Sequence, residues 1–323
     1  MFYLLCICLV FAVMFVVYAL ATLASVPALS VLATRKHALQ TKTAANLLFC
    51  FRSFPLALAT IASVGLALPS FLRFEPSTTR EMPGPELWLL AALGVLMLLT
   101  MAWRCFRIVY LTSSLQRRWL KNSEQMRNSL NGLPVSCVND SGSLVAVVGI
   151  FAPRVFVSRN IVETLSPGEL DAALSHELAH VSAWDNLRQL VLKVTRFHGL
   201  HFLTQMDALW ARTSELAADE RAIAQGASPL NLSSALVKVG RLSLTSPSHF
   251  LAASHLVDGC SSATSARAMH LQELLEHGIS PKQAAGAHSA RFWISCCVTL
   301  LLYVLALVTS LPQIHKALEF IVR

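Results

Sequence analysis

Hydrophobic residues fall into four long blocks, at 2–32, 56–72, 87–103 and 292–311, which polar segments separate. Each block has about 17 residues or more, the length that a helix needs to cross a bilayer. Arg52 stands at the entrance of the second block, and we expect its charged end to reach out to the membrane interface. The pattern predicts a mainly α membrane protein with four transmembrane helices.

The stretch between the third and fourth blocks is long enough for one compact domain. The chain is therefore expected to divide into residues 1–103, 104–290 and 291–323. Runs rich in Val, Ile and Phe, broken by Gly149 and Pro153, predict a strand and a hairpin-like pair, at 134–138 and 143–159. The mixture of strands and helices predicts an α+β domain.

Several helices are expected in this domain. Ser166 followed by Pro167, with Glu169 three residues after the serine, predicts a capped helix start. Segment 228–264 reads as loop-rich. The other predicted helices are at 118–132, 186–203, 208–225 and 265–278.

Charge is scarce and unevenly placed. Residues are 54% hydrophobic and 14% charged, whereas soluble domains carry about 25% charged residues. Lys and Arg cluster after the first and third blocks, but segment 74–86 has one internal basic residue, Arg80, against three acids. Basic connections stay in the cytoplasm, so we expect the N-terminus outside and residues 104–290 in the cytoplasm. The net charge of +8 then reflects topology and contact with lipid headgroups, and we expect no direct nucleic-acid binding.

The motif "HELAH" lies on the helix that Ser166 opens. His176 and His180 are four residues apart and project from one helix face, so both imidazoles can bind one Zn²⁺. Glu177 lies at the edge of that face, where it can act as a base that takes a proton from water activated by the metal. None of the eight cysteines has CxxC spacing, which argues against a thiolate zinc site.

A catalytic zinc needs a third protein ligand. Asp185 is one candidate, although it lies just past the predicted helix. Glu215 is the better candidate, and Asp219, one turn later, can accept a hydrogen bond from a ligand histidine. Asn186 occupies the place of a metzincin's third histidine, which excludes that class.

The segments "SHELAHVSAWDNL" and "SELAADERA" resemble the membrane-embedded gluzincin metallopeptidases. Three spans before the motif and one after it are similar to the BlaR/MecR-type sensor-transducer peptidases. The HtpX-type proteases and their CAAX prenyl protease relatives are the alternative. The resemblance implies a zincin-like domain with one zinc, ligands His176, His180 and Glu215, Glu177 as base and Asp219 as hydrogen-bond partner of a ligand.

BlaR/MecR proteins carry a penicillin-binding sensor after the last span, where this sequence has only residues 312–323. We therefore expect any signal to come from a separate sensor protein or from the spans. Arg267 is a candidate for holding the substrate or stabilising the oxyanion, with a solvated helix arginine as the alternative. The strand around 146–150 is a candidate edge for pairing with an extended substrate, with a plain structural strand as the alternative.

The predicted function is an integral membrane zinc metalloendopeptidase that cuts cytosolic or membrane-proximal proteins, in regulated proteolytic signalling. The alternatives are an HtpX-like quality-control protease and a non-catalytic transducer with a structural zinc. Glu177 speaks against the transducer, because a structural site has no use for a base.

Overall fold

The computed structural model describes residues 1–35, 40–76, 82–125, 134–139, 145–197, 200–245 and 261–277. The predicted fourth span at 292–311 lies outside these residues.

Three long apolar helical segments form the N-terminal part. The first is α1 (Phe2–Arg35), and the second consists of α2 (Thr41–Thr60), a π-helical segment (Ile61–Ala67) and α3 (Leu68–Phe74). The third is α4 (Pro85–Lys121). Within the described residues, the stretches long and apolar enough to cross a membrane are Phe2–Val26, Thr41–Phe74 and Pro85–Lys121. The second span thus begins well before the predicted residue 56, and α4 runs without a break across the expected domain boundary at 103.

A small sheet follows α4. Its strands are β1 (Ser123–Gln125), β2 (Val135–Val138), β3 (Val145–Val148) and β4 (Arg154–Ser158), in the order β1-β2-β4-β3. The predicted strand and hairpin are confirmed, because β3 and β4 pair antiparallel with Val147 opposite Val155. β3 is an end strand of this sheet, as the substrate-edge hypothesis requires.

The predicted helix at 118–132 is wrong at 122–125, and 126–132 lie outside the described residues. Helix α4 ends at Lys121, and β1 pairs antiparallel with β2, with Glu124 opposite Cys137. The backbone bonds that β1 forms with a distant segment outweigh the local preference of its polar residues for a helix.

Six helices complete the described part: α5 (Arg159–Thr164), α6 (Pro167–Ser182), α7 (Asp185–Val194), α8 (His201–Ala224), α9 (Pro229–Thr245) and α10 (Ser261–His277). The Ser166 cap is confirmed: the Glu169 amide donates to Ser166 Oγ, and Glu169 Oε2 accepts from the Ser166 amide. The predicted helix at 186–203 is two elements, because α7 ends at Val194 and α8 begins at His201.

The prediction that 228–264 is loop-rich is wrong for its first half and for 261–264, and 246–260 lie outside the described residues. Pro229 starts α9, which runs to Thr245. Leu232, Leu236 and Val239 recur at the spacing of one helix face, and all three are buried. They pack against the sheet and α6 in the main core, whose other members include Val155, Ala173 and Leu271. The core thus supports α6 from behind.

The connection between α7 and α8 lies among the membrane helices. Val194 and Phe197 pack against a buried cluster that includes Tyr18 of α1 and Met97 of α4. The ring of Tyr18 stacks on Phe197 at 6.0 Å, and its hydroxyl donates to the carbonyl of Thr195. Helices α7 and α8 therefore extend from the domain that follows α4 into the bundle of spans.

Arg52 does not reach out to the interface, contrary to the sequence-based expectation. Its side chain is 3% exposed, and Nε donates to Asp207 Oδ1 at 3.0 Å. Further bonds go to Thr195 Oγ1 at 3.2 Å and to the Leu192 carbonyl at 3.2 Å. Arg196 donates to the other oxygen of Asp207 at 2.7 Å. Because Asp207 gives the Arg52 guanidinium a buried partner of opposite charge, the side chain stays inside the protein and does not extend to the membrane interface.

We expect Asp207→Ala to lower the free energy of unfolding by about 3–5 kcal/mol, because it leaves the buried guanidinium of Arg52 without its carboxylate. Thermal unfolding of the purified protein in detergent measures the effect. The double substitution Arg52→Met with Asp207→Met should cost less than Asp207→Ala alone, since no buried charge at position 52 is then left unpaired.

Arg159→Ala is the matched control, because Arg159 pairs with Glu124 at the surface, where the two side chains are 49% and 72% exposed. Exposed pairs are worth about 0–1 kcal/mol. Equal shifts for Asp207→Ala and Arg159→Ala would show that the buried pair adds nothing to stability.

Candidate metal centre

Two helices bring three potential metal ligands together. His176 and His180 lie one turn apart on α6, with their Nε2 atoms 3.1 Å from each other. Glu215 of α8 reaches both: Oε2 is 3.4 Å from His176 Nε2, and Oε1 is 3.5 Å from His180 Nε2. One ligand atom from each residue lies within 4.8 Å of the others. The structure thus joins the three residues that the sequence singles out, although α8 is distant in the chain.

The far nitrogen of each histidine faces a carboxylate. His176 Nδ1 is 2.8 Å from Asp219 Oδ1, and His180 Nδ1 is 2.7 Å from Asp185 Oδ2. Asp185 also accepts from Ser214 Oγ at 2.7 Å. A carboxylate has no proton at neutral pH, so each Nδ1 carries the hydrogen of its contact, and Nε2 is the ring atom that faces the cluster and would bind a metal.

This donor set fits a zinc ion. Two imidazole nitrogens and a carboxylate face one another at 3.1–3.5 Å, so one cation between them would contact all three. Ligands at about 2.0–2.1 Å from a tetrahedral zinc are about 3.3 Å apart. The three separations observed have that size, and two imidazoles with one carboxylate are a common ligand set of catalytic zinc.

The charge around the cluster favours positive charge at the site. Burial lowers the pKa of His180, but Glu215 and Asp185 outweigh burial and raise it to about 10. Burial also works on Glu215, whose pKa it raises, yet Arg267 and His180 bring that pKa well below its ordinary value. The carboxylates therefore stay ionised and attract positive charge to the histidines.

Glu177 of α6 points toward the sheet. Its side chain is completely buried, and Oε2 accepts from the Val147 amide of β3 at 3.2 Å. Asn186 contacts the same edge, because Nδ2 donates to the carbonyl of Gly149 at 2.8 Å. The end strand β3 thus lies directly beside the predicted base.

Arg267 of α10 is buried and not solvated, so the solvated alternative is wrong. Its guanidinium donates twice to Asp219, at 2.6 and 2.9 Å, and lies 2.9 Å from Glu215 Oε2. These contacts hold both carboxylates of α8 in place. A role toward the substrate stays a prediction.

Asp185 was a candidate third ligand in the sequence, and the structure places it behind His180 instead. Trp184 makes this possible: it adopts a left-handed conformation, with φ 59° and ψ 33°, and turns the chain sharply between α6 and α7. The sequence gives little sign of this turn, because glycine or asparagine usually occupies such a position. Ser214, which holds Asp185, was not singled out either, although it directly precedes Glu215.

A buried His₂Glu cluster beside an end strand, on a domain joined to apolar helices, defines a metallopeptidase-type centre of a membrane protein. The sequence profile of peptidase family M48 matches residues 112–275, just over half of the chain. The chain therefore belongs to peptidase family M48. No curated protein matches the sequence significantly.

Family membership supports the prediction of a zinc-dependent metallopeptidase, since M48 peptidases use zinc. With the three apolar helices, it also supports a membrane location. The match is to the family as a whole, and the BlaR/MecR-type and HtpX-type branches stay alternatives.

Proposed function

We propose that this protein is an integral membrane zinc metalloendopeptidase that cuts membrane-proximal segments of other proteins from the cytoplasmic side. The observation that carries the proposal is the His176, His180 and Glu215 cluster, held at zinc-ligand separations beside the buried Glu177. These three residues would hold the zinc. When bound, the metal supplies Lewis acidity, which polarises the peptide carbonyl and makes water a nucleophile near neutral pH.

The residues of the chain supply the proton transfers and the orientation. The Glu177 carboxylate takes a proton from the attacking water and delivers it to the amine that leaves. Asp219 and Asp185 keep the hydrogen on each Nδ1, which fixes the ring orientation of both histidines. An extended substrate lies along β3, beside the Val147 amide that holds Glu177. That amide and the carbonyls of Val147 and Gly149, which accept from Asn186, are bonded within the protein and do not pair with the substrate.

The place of α7 favours substrates close to the membrane. The helix has ten residues and is thus about 15 Å long. One end carries Asp185, which supports the cluster, and the other end reaches Thr195, which contacts Tyr18 and Arg52 among the spans. The site therefore lies within reach of a chain that has just left the bilayer.

The same arrangement favours regulated proteolysis over constitutive quality control. Polar groups of α1, α2 and α4 all contact the α7–α8 connection, through Tyr18, Arg52 and Arg104. A shift of one span, whether it follows from a separate sensor protein or from the lipid, moves the helices that carry Asp185 and Glu215. An HtpX-like role needs no such input and is the alternative.

The proposal is tested on membrane vesicles that contain the full chain, with an unfolded reporter protein added outside. We expect inside-out vesicles to cut the reporter and right-side-out vesicles to leave it intact, because the domain faces the cytoplasm. A zinc chelator should stop cleavage, and added zinc should restore it.

Vesicles with Glu177→Gln control for contaminating proteases. Cleavage by right-side-out vesicles alone would show that the domain faces outward. Cleavage that persists in the presence of the chelator would contradict a metallopeptidase mechanism. No cleavage in either orientation, with zinc bound, would favour the non-catalytic transducer.

A further inference from the structure

A pocket lies next to His180, on the side where α6 ends. Its apolar walls are Ile150, Phe151, Pro153, Val181, Trp184 and Leu187. The empty space is about 370 Å³ and is open to solvent. Because this figure includes space open to solvent, the pocket is a shallow depression with room for one side chain.

Trp184 forms the mouth of this pocket at a cost in backbone energy. A positive φ is a genuine outlier for a bulky residue, and 63% of Trp184 is exposed, so packing inside the protein does not account for the indole. Glycine or asparagine would make the same turn without strain. Residues held in strained conformations concentrate at functional sites.

The polar groups around the pocket are engaged within the protein. Asp185 holds His180 and Ser214, and Asn186 donates to the Gly149 carbonyl. The turn between β3 and β4 is fixed from the other side, where Gln116 Nε2 donates to the Ala152 carbonyl at 2.9 Å. The surface offered to a ligand is therefore apolar and preorganised.

The pocket continues the line of β3. This strand runs past Glu177 and leads directly into Gly149, Ile150 and Phe151. An extended chain that lies along β3 therefore reaches the pocket where the strand ends. Its side chains alternate between the two faces of the strand, so one of them points into the pocket.

We propose that this pocket is a specificity site that takes one large apolar side chain of the substrate, with Trp184 as its principal contact. The proposal rests on the proposed peptidase function. It predicts that the substrate carries Leu, Phe or a similar residue at one fixed position near the cleaved bond.

The test uses the purified full-length protein, zinc-loaded in detergent, with fluorescein-labelled decapeptides. Leu, Phe, Ala or Asp is placed in turn at each of the three positions on either side of the cleaved bond. We expect the wild type to prefer Leu or Phe at one position by about 10-fold or more in kcat/KM. Trp184→Gly should remove that preference by lowering kcat/KM for the Leu and Phe peptides about 10-fold more than for the Ala peptide, because the indole contacts only the large side chain.

Stability separates this role from a structural one. Trp184→Gly relieves the left-handed strain and loses little packing, so its Tm should equal or exceed that of the wild type by about 2–4 °C. Trp184→Asn should behave in the same way, and Trp184→Phe should keep most of the preference. Leu230→Ala is the control, since Leu230 is an exposed apolar residue of α9 that does not line the pocket.

Binding to the Glu177→Gln protein, measured by fluorescence anisotropy, gives a readout without catalysis. Weaker binding of the Leu peptide by about 10-fold in Glu177→Gln/Trp184→Gly supports the pocket, even if the wild type cuts no peptide and the proposed function fails. If the Trp184→Gly protein cuts the peptides with the same preference as the wild type, the pocket proposal is wrong and the proposed peptidase function stands. Absence of both binding and cleavage overturns the two proposals together.

Discussion

Replacing Glu177 with glutamine is expected to lower kcat by about 10²–10⁴-fold while the zinc content stays unchanged. The amide of glutamine has the shape of the carboxylate but cannot take up a proton. Its oxygen can still accept from the Val147 amide, so the contact with β3 survives. Because the cluster that can hold a metal consists of His176, His180 and Glu215, the substitution leaves the ligands intact.

The measurement combines peptide hydrolysis with metal analysis of the same purified samples. Glu163→Gln is the matched control, since Glu163 is exposed on α5 and contributes nothing to the cluster. Loss of zinc in proportion to the loss of activity would mean that Glu177 binds the metal, and the base would then have to be sought elsewhere.

The parts of the fold that the sequence predicts correctly carry local signals. The β-branched residues and Gly149 predict the β3–β4 hairpin, and the capping box of Ser166 and Glu169 predicts the start of α6. Helix α9 was missed because Ser233, Ser234, Gly240 and Ser243 weaken its helical signal. Its buried stripe becomes visible only when the neighbouring core is known.

Long-range pairing explains the remaining differences. Arg52 lies 155 residues from Asp207, and no local pattern shows that the two side chains meet. Strand β1 exists because β2 offers it a partner, and its polar residues do not favour a strand by themselves.

More of the candidate site than of the fold could be predicted from the sequence, because metal binding requires particular residue types at a particular spacing. Two histidines on one helix face with a glutamate between them predict a metal and a base, and the acidic helix downstream supplies Glu215 and Asp219. The place of Asp185 behind His180 could not be predicted in this way. It depends on the left-handed turn at Trp184, which the residue type disfavours.

Substitutions of the three carboxylates around the histidines should differ sharply in their effect on zinc affinity and activity. Glu215→Ala takes away one of three ligands, so we expect zinc affinity to fall by more than about 100-fold and activity to disappear. Asp219→Asn keeps an oxygen that can accept from His176 Nδ1 and loses only the charge, which should cost about 10–100-fold in zinc affinity or activity. Asp185→Asn should have a similar effect through His180.

Zinc content after dialysis against a chelator, followed by activity at increasing zinc concentration, separates these cases. Excess zinc should rescue Asp219→Asn and Asp185→Asn, because all three ligands remain, and it should not rescue Glu215→Ala. Thermal unfolding serves as the control for folding, since Arg267 loses one partner when Glu215 or Asp219 is changed. If Asp185→Asn stripped the zinc while Glu215→Ala kept it, Asp185 would be the third ligand and the His₂Glu assignment would be wrong.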